Sequence, residues 1–215
     1  MLEYKRNQVE EAISRTFGEQ SARPSSELRT RLKRLLETDR SLGRNSRSAD
    51  PERANYAFYG SDSPGRGVEV WFSDYEAFAL MTGLRLLQHR WPQSFPVAVL
   101  RRLRPELERE HARILKQDPK ILFDDKRIRE NARPGDLYVD NTDPVFLTIV
   151  SGQDHPKEGP TGNLPCAVCR CREQMFKFVK EQSARSWSSN ELVTPAHALL
   201  LQLSKVQPRR RGRSS

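Results

Sequence analysis

The sequence predicts a mainly α-helical fold, with a short β-hairpin in its first half and a small α+β region in its second. Three observations carry this expectation. Ala77, Leu80, Met81, Leu84, Leu87 and Trp91 recur at helical spacing behind a Ser73–Glu76 capping signal. Two aromatic-rich runs, YAFYG and VEVWF, alternate around a Gly-Pro-Ser loop. Beyond about residue 119 the pattern changes, and DLYVD and PVFLTIV read as strands.

In chain order, residues 3–17 form an amphipathic pattern with Val9, Ala12, Ile13 and Phe17 on one face and Gly18 suited to the helix end. A polar turn, EQSARP, leads to a second helix that Ser25 or Ser26 can cap. It carries Leu28, Leu32, Leu35 and Leu36 on one side, Arg29, Arg31, Lys33 and Arg34 elsewhere, and ends at Gly43. Residues 44–55 hold no large apolar side chain and read as a mobile connector. The hairpin follows, its loop from Gly60 to Gly67 projecting into solvent, and then the long striped helix, which Pro92 ends. VAVLRRLR forms a further helix, and Pro105 opens another, because proline at the first helical position loses no intrahelical bond. In the second half, REQMFKFVKEQ and TPAHALLLQLSKV read as helices, the latter with Thr194 as N-cap and Pro195 at its first position. The tail PRRRGRSS has four arginines and no acid, and reads as disordered.

The chain of 215 residues carries 37 Lys plus Arg against 28 Asp plus Glu, a net charge of +9 supplied mostly by arginine. Guanidinium groups stay charged and grip phosphates bidentately, so a polyanionic partner is favoured. The start is charged from its third residue and no apolar run approaches bilayer length, so a cytoplasmic protein with no membrane partner is expected.

The order is now helix, polar turn, helix with a basic face, two-strand hairpin, long amphipathic helix and further helices beyond a proline. That is the order of a winged helix-turn-helix. The stretch VEVWFSDYEAFALMTGLRLLQHRWPQSFPVAVLRRLRPEL resembles the DNA-binding domain of the MerR family of bacterial transcription regulators. It has a wing strand ending in an aromatic–Ser step, an acidic and apolar helix, a short link, and a helix ending in basic residues. LLETDRSLG is similar to the end of that family's recognition helix. The resemblance covers roughly residues 4–117. It implies a winged helix-turn-helix domain at 1–118, followed by an α+β region at 119–205 and the Arg-rich tail at 206–215.

The resemblance further implies binding of double-stranded DNA, as a transcription regulator or an accessory factor of a mobile element. The second helix would enter the major groove, where Arg29, Arg31, Lys33 and Arg34 touch phosphates or base edges. Arg66, at the hairpin tip, would reach the backbone or minor groove, with hydrogen bonds added by Ser61 and Ser63. Ser25 and Ser26 lie at the start of that helix, and Arg23 in the turn and Lys5 and Arg6 on the first helix are lesser candidates. A plain solvated face, its cations paired with Glu27, Glu37 and Asp39, would look the same in sequence. A homodimer fits this reading, since two half-sites multiply affinity. Leu100, Leu103, Leu107 and Ile114 nearly follow a heptad seam, which Glu110 interrupts. Two rivals are an adaptor whose winged helix docks a protein and an RNA-binding protein, the latter favoured by the arginine tail.

Cys166, Cys169 and Cys171 stand in C-x-x-C-x-C spacing, in which two thiolates can meet one zinc ion. His155 is the nearest candidate for a fourth ligand, with His197 more remote; the alternative is three ordinary reduced thiols. No phosphate-cradling P-loop, H-E-x-x-H or G-x-S-x-G occurs, and Asp124–Asp125 and Asp154–His155 have no evident partner. The expectation is therefore no enzyme, no small-molecule substrate and no obligatory cofactor.

Overall fold

The computed structural model describes residues 3–19, 23–60, 69–89, 91–132, 140–151, 164–183 and 186–207. The chain is mainly helical, with two small antiparallel sheets. A short strand β1 (Tyr4–Lys5) runs straight into α1 (Arg6–Thr16), whose Val9, Ala12 and Ile13 are buried as their spacing predicts. Helix α2 (Ser26–Ser41) is capped by Ser25, whose hydroxyl accepts from the Leu28 N–H at 3.2 Å. Both expected glycine stops, Gly18 and Gly43, take positive φ (81° and 62°). Glu19 joins the two helices: it accepts from the Ser14 hydroxyl at 2.6 Å and from the Ser25 hydroxyl at 3.1 Å. Those bonds hold its carboxyl below the usual range.

The expected hairpin between residues 56–60 and 68–72 is not the pairing that forms. Strand β2 (Trp71–Phe72) pairs with β1 at the chain start, Tyr4 opposite Phe72 and Lys5 opposite Trp71. Tyr56, Ala57, Phe58 and Tyr59 form no strand, yet all are buried, with Ala57 and Phe58 at 0% exposure. A buried backbone without a ladder must find other partners, and here charged side chains supply them. Asp39 of α2 accepts from the Ala57 and Phe58 N–H groups at 3.1 and 3.0 Å. Arg104 donates to the Tyr56 and Tyr59 carbonyls, both at 2.8 Å. Arg101 closes the arrangement, its Nε donating to Asp39 Oδ1 at 2.6 Å.

Residues 44–55, expected as a mobile connector, are ordered. Asp50 caps a one-turn helix α3 (Pro51–Ala54), and the Asn45 N–H donates to the Arg53 carbonyl at 2.8 Å. Helix α4 (Asp74–Gln88) begins with the predicted Ser73–Glu76 capping box. The two helices expected to be divided by Pro105 are one 21-residue helix, α5 (Ser94–Ile114), with Pro105 inside it. Proline removes the donor that would bond the Arg101 carbonyl. The Asn55 side-chain amide approaches that carbonyl at 3.5 Å, while Leu100, Leu103 and Leu107 hold both halves in one buried stripe. That stripe, with Ile114, is the heptad seam of the sequence; it is filled by the chain's own core.

Short helices α6 (Pro119–Leu122) and α7 (Asp125–Asn131) lead to a sheet in the order β4–β3–β5, built from β3 (Phe146–Ser151), β4 (Cys166–Cys169) and β5 (Ser186–Glu191). Helix α8 (Arg172–Glu181) covers one face of this sheet, and α9 (Val193–Lys205) packs on α1. The expected strand at 136–140 falls almost wholly outside the described residues, as does the arginine tail from 208. Thr194 is not the cap of α9. Glu191 takes that role, accepting from the Val193 and Thr194 N–H groups at 2.6 and 3.1 Å, while the Thr194 hydroxyl bonds Asp140. The larger apolar cluster runs from Tyr4 to Val206, and a small second one of Phe146, Cys169 and Met175 lies between the three-stranded sheet and α8.

Two predictions come from this packing. Asp39→Ala would strand a buried guanidinium and two buried N–H groups, so chemical denaturation should find a loss of about 3–5 kcal/mol. A loss below about 1 kcal/mol would contradict the role given to Asp39. The second concerns His111, buried and stacked on Phe78 at 4.6 Å, with Tyr75 edge-on at 5.9 Å. Burial, and to a lesser degree nearby His197, lowers its pKa to about 4. Between pH 6.5 and that value the unfolded chain binds the extra proton, so stability falls as pH drops, by up to about 3 kcal/mol. Burial raises the carboxyls of Asp39 and Glu191, which titrate with the opposite sign. They are common to wild type and His111→Phe, so the difference between the two stability–pH curves isolates His111 and should be steepest across that window.

Candidate nucleic-acid interface

Helix α2 turns Leu28, Leu32, Leu35, Leu36 and Asp39 inward. At 3.6 residues per turn, this fixes what faces out. Arg29, Lys33 and Arg40, spaced i, i+4 and i+11, line one flank of the exposed surface. Arg31 and Arg34, spaced i and i+3, line the other. Between the flanks run Ser26, Thr30, Glu37 and Ser41, all exposed. The four predicted cations of α2, with Arg40, thus form two rows on its exposed side, with three hydroxyl side chains and the Glu37 carboxylate between them.

Their partners differ. Arg31 meets Glu27 at 2.5 Å and Lys33 meets Glu37 at 3.7 Å, both as i,i+4 pairs on the surface. Asp39, the third acid expected to neutralise this face, instead points into the core. Arg29 and Arg34 make no ion pair with any described residue. Arg40 lies over the Tyr59 ring at 5.9 Å. Periodicity alone puts it on the Arg29–Lys33 flank, six residues beyond the basic run that ends at Arg34. Ser25 is occupied with the cap and Glu19, Ser26 accepts from the Thr30 hydroxyl through its carbonyl at 2.8 Å, and Arg23 is exposed. Lys5 is held by Glu69 at 3.0 Å and Arg6 by Glu10 at 2.7 Å. Ser61, Ser63 and Arg66 lie outside the described residues.

At the C-terminal end of α2 a groove of about 460 Å³ opens between the helix end and α3. Arg44 and Arg53, both exposed, line it with Leu42 and Asn45. No sequence signal marked this feature, because residues 44–55 carry no apolar periodicity.

The cysteines are dispersed by the sheet. Cys166 and Cys169 are three residues apart on β4, and side chains alternate faces along a strand. Cys166 accordingly packs against the main core and Cys169 against Phe146 and Met175 on the other face. Burial raises both thiols. Cys171 sits at the start of α8, and His155 lies outside the described residues. Among the described residues, no three Cys, His, Asp or Glu side chains assemble as a metal site, and no helix is long and apolar enough to cross a membrane.

Comparison of the chain with known protein families, with functionally described proteins and with solved structures finds no match.

Proposed function

We propose that the chain binds double-stranded DNA through α2, as a winged-helix regulator of transcription or an accessory factor of a mobile element. One observation carries the reading: the exposed face of α2 has a row of cations on each flank and hydrogen-bonding side chains between them. A helix lying in a major groove about 12 Å wide has a phosphate backbone on either side and base edges beneath. Arg29, Lys33 and Arg40 suit one backbone and Arg31 and Arg34 the other. Ser26, Thr30 and Glu37 are then left to meet bases. The Phe72–Ser73 step opening a capped helix after a short strand supports the MerR-type resemblance; the succession is α1, α2, α3, β2, α4, and β2 pairs with β1 in place of a second wing strand.

Phosphate neutralisation releases counterions, so affinity should fall steeply as salt rises. The double variant Arg29→Ala/Arg34→Ala removes one cation from each flank without touching the core. Mobility-shift titration of random-sequence duplex should find binding at least about tenfold weaker, with the salt slope reduced by roughly two. Unaltered affinity and slope would remove α2 from the interface. Displacement of duplex by an equal amount of single-stranded RNA would favour RNA as the partner.

A further inference from the structure

The groove at the end of α2 is built in a way that a solvated loop does not require. Gly43 turns the chain back after the helix, and the Asn45 N–H bond to the Arg53 carbonyl at 2.8 Å fixes Arg44 beside the turn of α3. The groove is lined by Leu42, Arg44, Asn45, Glu52, Arg53 and Arg101. Two of the five charged or polar side chains among them are already spent. Arg101 is committed to Asp39, and the Glu52 carboxylate is held by Arg102 at 2.9 Å. Arg44 lies over the Tyr56 ring at 5.7 Å, which braces its guanidinium, and among the described residues the ion pair of Arg53 is a long, exposed contact to Asp50 at 3.7 Å. An exposed pair of that kind is exchanged at little cost. What the groove offers a ligand is two exposed guanidinium groups on an ordered scaffold, whose surface contacts a phosphate can replace, with the neighbouring Glu52 neutralised by Arg102.

We propose that this groove is a phosphate clamp that holds the sugar–phosphate backbone of a duplex seated on α2. The inference rests on the DNA-binding reading and extends it: the clamp lies where the helix runs out, and there a duplex lying along α2 brings its backbone past the protein. Arginine suits the role because its planar fork matches phosphate oxygens bidentately. Phosphate contacts set position and carry no sequence information.

The test compares wild type, Arg44→Ala/Arg53→Ala and Arg29→Ala/Arg34→Ala on a panel of duplexes across a salt series. Both groove residues are exposed, so thermal melting should be unchanged, and Arg44→Lys/Arg53→Lys, which keeps the charge but loses the planar fork, should recover only part of the binding. The groove variant should bind at least about tenfold more weakly, with the salt slope lowered by roughly two and the ranking of duplex sequences preserved. A groove variant with the wild-type slope, beside an α2 variant that is weakened, overturns the clamp and leaves the DNA reading standing. A changed sequence ranking in the groove variant also overturns it, since the groove would then be reading bases. Failure of wild type to bind any duplex overturns both.

Discussion

The contact between Asp39 and Arg101 is the constraint on which the first half of this fold depends. Asp39 is 0% exposed and Arg101 3%, and burial raises the Asp39 carboxyl while Arg101 opposes that shift. Desolvating two charges is costly unless their remaining hydrogen-bonding capacity is filled. Here it is filled by backbone: Asp39 takes the Ala57 and Phe58 N–H groups, and Arg101 donates to the Asp39 and Glu52 carbonyls. Arg104 repeats the device one turn along α5, bridging the Tyr56 and Tyr59 carbonyls to Glu76 of the α4 capping box. An irregular segment can thus run through the core, and α2, α3, α4 and α5 are tied to it. Removing either charge alone leaves the other stranded, so these contacts are all-or-none.

The same constraint decides which way α2 faces. With Asp39 drawn inward beside four leucines, the opposite surface of the helix has to lie in solvent, and Arg29, Arg34 and Lys33 lie there. The second half of the chain braces this arrangement. Helix α9 packs along α1, the Gln8 side chain donates to the Val206 carbonyl at 3.1 Å, and Glu110 of α5 is held by Arg170 beside β4 and by Arg113. Residues beyond 118 therefore contribute to the rigidity with which α2 is presented.

Much of the helical skeleton was legible in the sequence, because apolar spacing and end signals agree. The stripe of α2, its Ser25 cap, the Gly18 and Gly43 stops and the Ser73–Glu76 box all stand where local chemistry puts them. The misreadings of YAFYG, Pro105 and the α5 arginines share a cause, which is that long-range partners overrode local preference. YAFYG alternates like a strand, yet its backbone partners are side chains 18 and more residues away. Pro105 ends helices locally, yet a leucine stripe on both sides keeps α5 continuous. Arg101 and Arg104 look like surface charges in a basic run; nothing in their spacing distinguishes them from Arg102, which is only half-buried. Strand β5, with the sequence SWSSNE, has no apolar alternation and is specified by its pairing with β3. For the candidate site, the four α2 cations were visible as a set. Their division into two flanks needed the buried face to be known, and the groove needed the connector to be ordered.

The charges of this protein fall into two kinds, and the difference bears on how a polyanion could be received. Arg31–Glu27 and Lys33–Glu37 are surface pairs in high dielectric, each worth roughly 0–1 kcal/mol, so exchanging the carboxylate for a phosphate meets little resistance. Asp39–Arg101 and Glu76–Arg104 are buried, and no anion from solvent can compete for them. Each of these two internal acids has a base for company, so they leave the net positive charge of the chain on its surface. A rigid, internally neutral frame carrying weakly held cations can bind and release a charged partner without rearranging its core. In such a molecule, affinity would respond to salt far more than stability does.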